Sequence, residues 1–310
     1  MKAMRLADSS SSHTLVEAIL AEPKPGPGQV LIRVSAAGVT PTELGWYPTT
    51  HTHSGDPRTQ AIPSHEFAGT VAALGAGVND FAPGQAVFGM NDWFADGALA
   101  EFCLTDAHSI APAPLTLKPA QAAAVPISAL TAWQGLFEHG HLHPGDRVLI
   151  HGGAGAVGLF AVQIAHLHGA HVIVTASPRD FQFVRSLGAG EVIDYHTTRF
   201  EEVTQPVDIV FDTVGGDTLL RSFPLVKPGR FAVTISSDNE SSQDPRITHS
   251  FFIVKPHQRQ LMEVATLIDT SKLRTFVDAV VPFAQASEAY SGKAQNRTGH
   301  GKTVVAIHPV

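Results

Sequence analysis

The stretch RVLIHGGAGAVGLFAVQIAHLHGAHVIVTASPRD, residues 147–180, decides the fold of this chain. It starts with a short apolar run, residues 148–150, which predicts a buried strand. Gly153, Gly155 and Gly158 follow with the spacing G-x-G-x-x-G, and apolar side chains then recur at helical spacing. A glycine turn that joins a buried strand to a helix is typical of a dinucleotide-binding unit.

Each of the three glycines is expected to have its own role. Gly153 allows the tight turn, Gly155 lets the backbone approach a pyrophosphate, and Gly158 lets the helix pack closely on the strand. The start of the helix adds free N–H groups and the positive end of a dipole. A glycine-rich turn without a ligand is the alternative, and the flanking strand and helix argue against it.

Predicted strands and helices alternate through this half of the chain. Strands at 147–151 and 171–176 are followed by helices at 156–168 and 180–187, and the runs EVIDY, DIVFDTV and RFAVTIS are further strands. This alternation of helices with continuously apolar strands predicts a parallel sheet covered on both faces. Residues 1 to about 120 are instead mostly strand-like runs between turns, and the closing run GKTVVAIHPV is expected to pair with them.

Composition excludes several classes of function. The 310 residues are 44% hydrophobic and 16% charged, as in a globular protein with a sizeable core. The net charge of −7 gives no basic surface for nucleic acid or an anionic membrane. No run suits a signal peptide or reaches the roughly 20 apolar residues of a membrane helix, so a cytoplasmic protein is expected. The single cysteine, Cys103, cannot form an intramolecular disulfide.

The end of the second predicted strand indicates which dinucleotide binds. An NAD site usually places Asp or Glu there to bind the ribose 2′-hydroxyl. This strand ends with Thr175 and Ala176, and Ser177 and Arg179 follow, which suit a 2′-phosphate. NADPH is therefore the predicted cofactor. Asp180 is the counter-argument, and Arg179 as an ordinary exposed arginine is the alternative interpretation.

Motifs along nearly the whole chain resemble the medium-chain dehydrogenase/reductase superfamily, in particular zinc-free NADPH:quinone oxidoreductases. They are PGPGQVLIRVSAAGVTPTE, SHEFAGTV, GVNDFAPGQAVFG, GALAEF, AAAVPISALTAWQGLF, PGDRVLIHGGAGAVG, LGAGEVIDY, VDIVFDTVGGDTL and GKTVV. The resemblance implies an α/β fold in which a GroES-like β-barrel catalytic domain is interrupted by a doubly wound Rossmann domain, with the active site in the cleft. The predicted boundaries are 1–122 and 258–310 for the first domain and 123–257 for the second. It also implies a homodimer.

The same resemblance implies a set of cofactor contacts. Ala156 and Val157 would donate backbone N–H groups to the pyrophosphate, and Ser177, Arg179 and Tyr195 would surround the 2′-phosphate. The residues expected near the nicotinamide or its side of the cleft are Thr131, Val214, Ile235, Phe252, Ile253, Val254 and Lys302. Sheet-edge packing is the alternative for Tyr195, and core packing is the alternative for Thr131 and for residues 252–254.

The sequence argues against a catalytic metal. Zinc-dependent relatives bind the metal with cysteine and histidine, whereas Thr40 stands where the first cysteine would be. His65 keeps the family's histidine position, but one histidine cannot form a tetrahedral site. We expect no metal, although a substitute His/Glu site is conceivable. The cluster HGHLHPG, with His139 among its three histidines, is interpreted as a solvated loop.

The remaining chemistry must come from the cofactor, because the chain has no nucleophile elbow, metal-ligand helix or P-loop. Without a metal, quinones and α,β-unsaturated carbonyls are the easiest hydride acceptors, since their developing charge spreads onto oxygen. Tyr47, in the loop GWYP, is the predicted proton donor, with an aromatic pocket wall as the alternative, and Thr40 is the second catalytic candidate. Two other functions stay open: a zinc-type alcohol dehydrogenase, and a catalytically idle NADPH-binding sensor or structural protein.

Overall fold

A computed structural model of the chain describes residues 1–7, 14–236, 239 and 242–308. The chain forms two units. Unit 1 comprises Met1–Ile127, Pro256–Ser271 and Thr275–Val310, and unit 2 comprises Ser128–Lys255 and Lys272–Arg274. The first boundary follows residue 127 rather than residue 122, because Ile127 is tied to unit 1 by a hydrogen bond from its amide to Glu66 Oε2 (2.9 Å).

The regular elements of the described residues are as follows. The strands are β1 Lys2–Leu6, β2 Leu15–Ile19, β3 Gln29–Gly38, β4 Glu66–Leu74, β5 Ala86–Met90, β6 Phe102–Asp106, β7 Ile110–Pro112, β8 Arg147–His151, β9 His171–Ala176, β10 Glu191–Asp194, β11 Val207–Asp212, β12 Val226–Thr234, β13 Val277–Pro282 and β14 Lys302–Ala306. The α-helices are α1 Tyr47–Thr50, α2 Pro119–Ala123, α3 Pro126–Gln134, α4 Gly158–Leu167, α5 Phe181–Ser186, α6 Phe200–Val203, α7 Gly216–Ser222, α8 Pro245–Ser250, α9 Gln258–Asp269 and α10 Ala286–Tyr290. Within the described ranges, no helix is both long and apolar enough to cross a bilayer.

Unit 1 is built on strands that pair mostly antiparallel. Its main sheet has the order β13-β14-β3-β4-β5-β7, and β6 also pairs with β3. The prediction that the closing strand returns to this unit is confirmed, because β14 runs antiparallel to β3 with Val305 opposite Ala37. The strand-rich first third that the sequence predicted is confirmed as well.

Unit 2 is built on a parallel sheet with the order β10-β9-β8-β11-β12. β8, the first of these strands in the chain, lies in the middle, and successive strands are added outward on one side and then on the other. The predicted parallel sheet is therefore confirmed. The order reverses beside β8, which is where the carboxyl ends of such strands form a ligand-binding crevice.

A buried histidine ends β8 and connects three elements of unit 2. His151 Nδ1 lies 2.9 Å from Thr175 Oγ1 on β9, and Nε2 lies 2.9 Å from Ser222 Oγ on α7. Ser222 already donates its hydroxyl hydrogen to the Thr218 carbonyl (2.6 Å), so Nε2 must be the protonated nitrogen and must donate. His151 is thus a neutral ring with both nitrogens satisfied.

We expect this histidine to make unit 2 sensitive to acid. Burial, reinforced by the charge of Arg221, lowers the pKa of His151 to about 3. In the unfolded chain a histidine has a pKa of about 6.5, so below that pH the unfolded state binds a proton that the folded state does not. The free energy of unfolding should therefore fall by about 1.4 kcal/mol per pH unit from this group alone as the pH drops from about 6.5 towards 3.

The measurement is denaturant unfolding between pH 7 and pH 4. His151→Phe should be less stable than the wild type at pH 7, but its stability should fall less steeply with acid. His108→Phe, at an exposed histidine, is the control and should keep the wild-type slope. Equal slopes for the wild type and His151→Phe would contradict a neutral buried His151.

Candidate active site

The turn after β8 is shaped by missing side chains. The residue with left-handed backbone is Gly152 (φ 74°), which the sequence analysis did not single out. A Cβ at Gly153 would overlap Val174 of β9, and one at Gly158 would overlap the Gly152 carbonyl. Gly158 therefore does allow close packing, and helix α4 starts there, two residues later than predicted.

The ligand side of this turn is open. A Cβ at Gly155 would meet only the Gly152 carbonyl oxygen, at 3.3 Å. The backbone amides of Ala156 and Val157 have no hydrogen-bond partner within the part of the chain that the structure describes. Free amides beside the first turn of a helix are what an anionic group such as a pyrophosphate needs. The turn therefore fits the predicted dinucleotide.

A cavity of about 460 Å³ opens beside the turn at the carboxyl ends of β8, β9, β10 and β11. It is lined by His151, Gly152, Thr175, Tyr195, His196, Thr197, Thr198, Arg199, Phe200, Val214, Thr218 and Arg221. Tyr195 and Val214 were predicted from the sequence, and both are about half exposed. The lining contains two arginines and neither aspartate nor glutamate, so guanidinium N–H groups are the charged donors that it offers to a ligand.

Carboxylates behind the lining hold the two arginines in place. Arg221 Nη1 lies 2.9 Å from Glu201 Oε2 and Nε lies 2.8 Å from Asp217 Oδ2, while its guanidinium sits 4.7 Å from the Phe200 ring centre. Arg199 Nε donates to Glu201 Oε1 (3.0 Å). Partial burial acts to raise the pKa of Glu201, but hydrogen bonds from its own backbone, Arg221 and Arg199 outweigh it and lower the pKa.

The residues after β9 form a small polar turn outside this lining. Ser177 Oγ donates to Asp180 Oδ2 (2.6 Å), and Arg179 Nε lies 3.5 Å from the same oxygen. The Arg179 side chain is 84% exposed and so has room to move onto a ligand. Asp180 therefore contacts two of the three residues that were predicted to surround a 2′-phosphate, and their role stays a prediction.

The other predicted nicotinamide contacts of unit 2 vary in exposure. Thr131 on α3 is buried, as are Phe252, whose ring stacks on His139 at 4.3 Å, and Val254. Ile253 between them is 44% exposed, and Ile235 follows β12 with its amide bonded to the Asp212 carbonyl (3.2 Å). Core packing thus accounts for part of this set.

In unit 1, a fully buried carboxylate organises the segment that carries the catalytic candidates. Glu43 Oε2 lies 2.7 Å from His65 Nδ1, and Glu43 Oε1 accepts the Ser64 amide (3.1 Å) and the Tyr290 hydroxyl. Burial, together with the charge of Glu43, raises the pKa of Tyr290 well above its usual value. Tyr290 therefore remains a hydrogen-bond donor. The 3-10 turn Pro41–Gly45 is held in place by the hydrogen bonds to the buried Glu43 side chain.

Beside it lies a second buried carboxylate with a cation. Lys302 Nζ, at the start of β14, forms an ion pair with Glu66 Oε1 and lies 3.3 Å from Thr40 Oγ1. Burial raises the pKa of Glu66, while Lys302 acts in the opposite direction. The ammonium of Lys302 is thus engaged within unit 1, and its predicted contact with a cofactor stays a prediction.

Tyr47 lies in a group of aromatic rings in unit 1. It is 49% exposed, stacks on His51 (4.3 Å between ring centres, 7° between planes) and meets Phe94 edge-on at 6.5 Å. On the buried side, Trp46 and Trp93 meet edge-on at 4.9 Å. The phenol of Tyr47 is therefore accessible, and its ring is also part of an aromatic wall, so both interpretations of this residue fit its position.

The side chains of His65 and Thr40 do not offer free ligand atoms to a zinc ion. His65 has Glu43 on Nδ1 and the Ala95 carbonyl on Nε2 (3.2 Å), and Thr40 faces the cationic Lys302. Nowhere in the described residues do three His, Cys, Asp or Glu side chains come together as a metal-binding group. The three histidines of HGHLHPG are exposed, and the His139 and His141 rings contact Phe252 and Phe231. Partial desolvation lowers the pKa of His139.

Sequence reasoning missed Arg199, Arg221 and Tyr290. The two arginines follow β10 and lie on α7, and the rule that ligands bind at the carboxyl ends of parallel strands would have directed attention to the residues after β10. No local signal identifies Tyr290, because its partner Glu43 is 247 residues away in the sequence.

Comparisons with known proteins agree with this geometry. The family model described as "Alcohol dehydrogenase GroES-like domain" matches residues 26–115, and the one described as "Zinc-binding dehydrogenase" matches residues 187–305. The protein "NAD(P)H oxidoreductase RTN4IP1, mitochondrial" of Danio rerio is 30% identical over 91% of this chain and 84% of its own length.

Two further matches extend over almost all of the chain. The 2-methylene-furan-3-one reductase of Solanum lycopersicum is 30% identical over 100% of this chain and 79% of its own length. The solved structure of the quinone oxidoreductase from Coxiella burnetii superposes with a TM-score of 0.86 at 28% identity and covers 99% of both chains. Unit 1 is thus a GroES-like domain and unit 2 a Rossmann domain, and the chain belongs to the medium-chain dehydrogenase/reductase superfamily of nicotinamide-dependent oxidoreductases.

Proposed function

We propose that this chain is an NADPH-dependent reductase that transfers hydride to a quinone or a small α,β-unsaturated carbonyl without zinc. The observation that carries the proposal is a pair of neighbouring features at the carboxyl ends of the parallel strands. The glycine turn offers the free amides of Ala156 and Val157, and the cavity beside it is lined by two arginines and no carboxylate. An NAD site would place a carboxylate on the ribose diol, whereas positive charge favours an additional phosphate.

In this proposal unit 2 holds the nucleotide. The amides of Ala156 and Val157 bind the pyrophosphate, and the cavity wall with Tyr195 receives the adenosine. Arg179 extends from its exposed position to the 2′-phosphate, for which it exchanges the weak 3.5 Å contact with Asp180. When bound, the reduced nicotinamide supplies the hydride.

Unit 1 supplies hydrogen-bond donors to the acceptor. Tyr47 has an accessible phenol, and a neutral phenol can deliver a proton to an enolate. No Lewis acid is needed when the acceptor is conjugated, because the charge that forms on its oxygen is already delocalised. The names of the relatives, a quinone oxidoreductase and a 2-methylene-furan-3-one reductase, support both acceptor classes.

The decisive experiment follows NADPH oxidation at 340 nm after treatment with a chelator, with one panel of quinones and one of enones. We expect turnover on at least one panel, without a requirement for added zinc. Activity that returns only with zinc would indicate a zinc-type alcohol dehydrogenase. Tight NADPH binding without turnover on any acceptor would indicate a sensor or structural protein.

Replacing Arg179 tests the phosphate specificity. Arg179→Ala should raise the Michaelis constant for NADPH by about tenfold, the value of one charge-assisted hydrogen bond, and should leave that for NADH nearly unchanged. Arg185→Ala, on the following helix and outside the cavity lining, is the matched control. Equal changes in the Michaelis constants for NADPH and NADH would count against a phosphate contact of Arg179. A change for NADPH alone in Arg199→Ala would assign the 2′-phosphate to the cavity wall instead.

Replacing Tyr47 tests proton delivery. Tyr47→Phe keeps the ring that stacks on His51 and removes only the hydroxyl. If the phenol donates the proton, kcat for an enone should fall on the order of 10²-fold with little change in KM. Phe94→Leu alters the wall without touching the donor, so it should change KM for the acceptor more than kcat. A wild-type kcat for Tyr47→Phe would show that Tyr47 does not donate the proton and serves only as part of the aromatic wall.

A further inference from the structure

Burying the ion pair between Lys302 and Glu66 costs free energy, because both charges lose their hydration. Its presence therefore needs an explanation. Glu66 is fully buried and Lys302 is 7% exposed. The chain makes room for the carboxylate by leaving out a side chain, since a Cβ at Gly38 would lie 2.6 Å from Glu66 Cγ. Taking two charges out of water is often no more stabilising than packing two apolar residues of similar volume there. Stability alone therefore gives this pair no clear advantage over an apolar one.

The direction of the hydrogen bonds shows what the pair does. An ammonium group can only donate, so in the 3.3 Å contact Thr40 Oγ1 must accept from Lys302 Nζ. The hydroxyl hydrogen of Thr40 then points away from Lys302, and it has no acceptor in the parts of the chain that the structure describes. Thr40 is also partly exposed, as a residue that contacts a ligand must be.

The backbone at Thr40 is fixed as well. The turn Pro41–Gly45 follows directly, with the Glu43 amide donating to the Thr40 carbonyl (3.0 Å). The Glu43 side chain is in turn held by His65 and Tyr290. A donor whose position and direction are both set before a ligand arrives loses little on binding it, as electrostatic catalysis requires.

We propose that Lys302 is a positioning residue that orients and polarises the Thr40 hydroxyl, and that this hydroxyl donates to the carbonyl oxygen of the acceptor as negative charge develops there. The inference rests on the proposed function and names the oxygen-stabilising site for its acceptors. The acceptor carbon gains the hydride with its electron pair, and the π electrons of the acceptor move onto the oxygen. The proton that completes the reduction comes from Tyr47, which water reprotonates.

Glu66 has a defined part in this arrangement. Its carboxylate holds the Lys302 side chain in place beside Thr40, while the amide of Ile127 satisfies its second oxygen (2.9 Å). The charge of the ammonium reaches the acceptor only through Thr40. This role differs from a direct cofactor contact of Lys302, and the two roles predict different kinetics.

Three variants test the proposal with a 1,4-benzoquinone and an unhindered enone as probes. Thr40→Val is nearly isosteric, changes no buried charge, and should lower kcat on the order of 10²-fold, as loss of an oxyanion donor does. Thr40→Ser restores a hydroxyl and should recover most of the activity. The double variant Lys302→Met/Glu66→Gln removes both charges together, leaves no unpaired ion, and should match Thr40→Val.

The readouts separate a positioning role from a structural or a cofactor role. The dissociation constant for NADPH, from fluorescence titration, should be the same in all variants. Adding Thr40→Val to the double variant should cost little more, because residues that act as one unit are not additive. Thermal unfolding of each variant shows whether the fold is kept, and Thr40→Val decides the matter if the double variant does not fold.

Two results would overturn the inference while the wild type turns over. A Thr40→Val variant with wild-type kcat would show that the hydroxyl is not used. Weaker NADPH binding in the double variant, with unchanged kcat at saturating NADPH, would assign Lys302 to the cofactor. If the wild type failed to oxidise NADPH with every quinone and enone tested, that result would instead contradict the proposed function itself.

Discussion

Two fully buried carboxylates, Glu43 and Glu66, place a strong constraint on the structure of unit 1. An ionised group removed from water must be matched by nearby donors, or folding becomes unfavourable. The donors come from distant segments: Tyr290 ends helix α10, Lys302 begins β14, and His65 precedes β4. Matching these charges therefore joins the last part of the chain to its first part. Thr40 and Tyr47 lie on the segment that this matching fixes.

The glycine turn of unit 2 relies on backbone groups, whereas the site in unit 1 relies on buried charged side chains. The turn can adopt its tight shape because three of its residues have no side chain. Gly152 adopts a left-handed backbone, and Gly153 and Gly158 leave space that a Cβ would fill. Binding at such a turn uses backbone amides, which carry no charge that must be neutralised when the ligand is absent. Charged side chains enter only at the cavity wall, where Arg199 and Arg221 are already balanced by carboxylates behind them.

The sequence predicts the parts of this molecule that depend on local pattern. Strands β8, β9 and β11 and helix α4 follow from apolar periodicity, and the glycine spacing identifies the turn, although it does not single out Gly152 as the residue with left-handed backbone. The return of β14 to unit 1 could be predicted because the α/β unit had no place for another strand.

The hydrogen-bond partners could not be predicted in this way. Lys302 and Glu66 are 236 residues apart, and no periodicity connects them. The contact of Asp180 with Ser177 depends on how a single turn closes after β9, and a sequence pattern leaves that open. Resemblance to a family supplied the two-domain organisation. It also implied a cofactor contact for Lys302, which stays a prediction, and it gave no sign of the contacts with Glu66 and Thr40.

The strength of the available electrostatics limits the acceptors that the proposed site can reduce. A hydroxyl backed by a buried ammonium stabilises an oxyanion less than a metal ion bound directly to that oxygen, because the charge of Lys302 acts through Thr40. An isolated ketone places a full charge on oxygen as hydride arrives, and such a donor would leave much of that charge unmatched. A quinone or enone spreads the charge over its conjugated system and needs less. In the proposed site, a threonine beside a lysine would therefore favour conjugated acceptors over simple carbonyls.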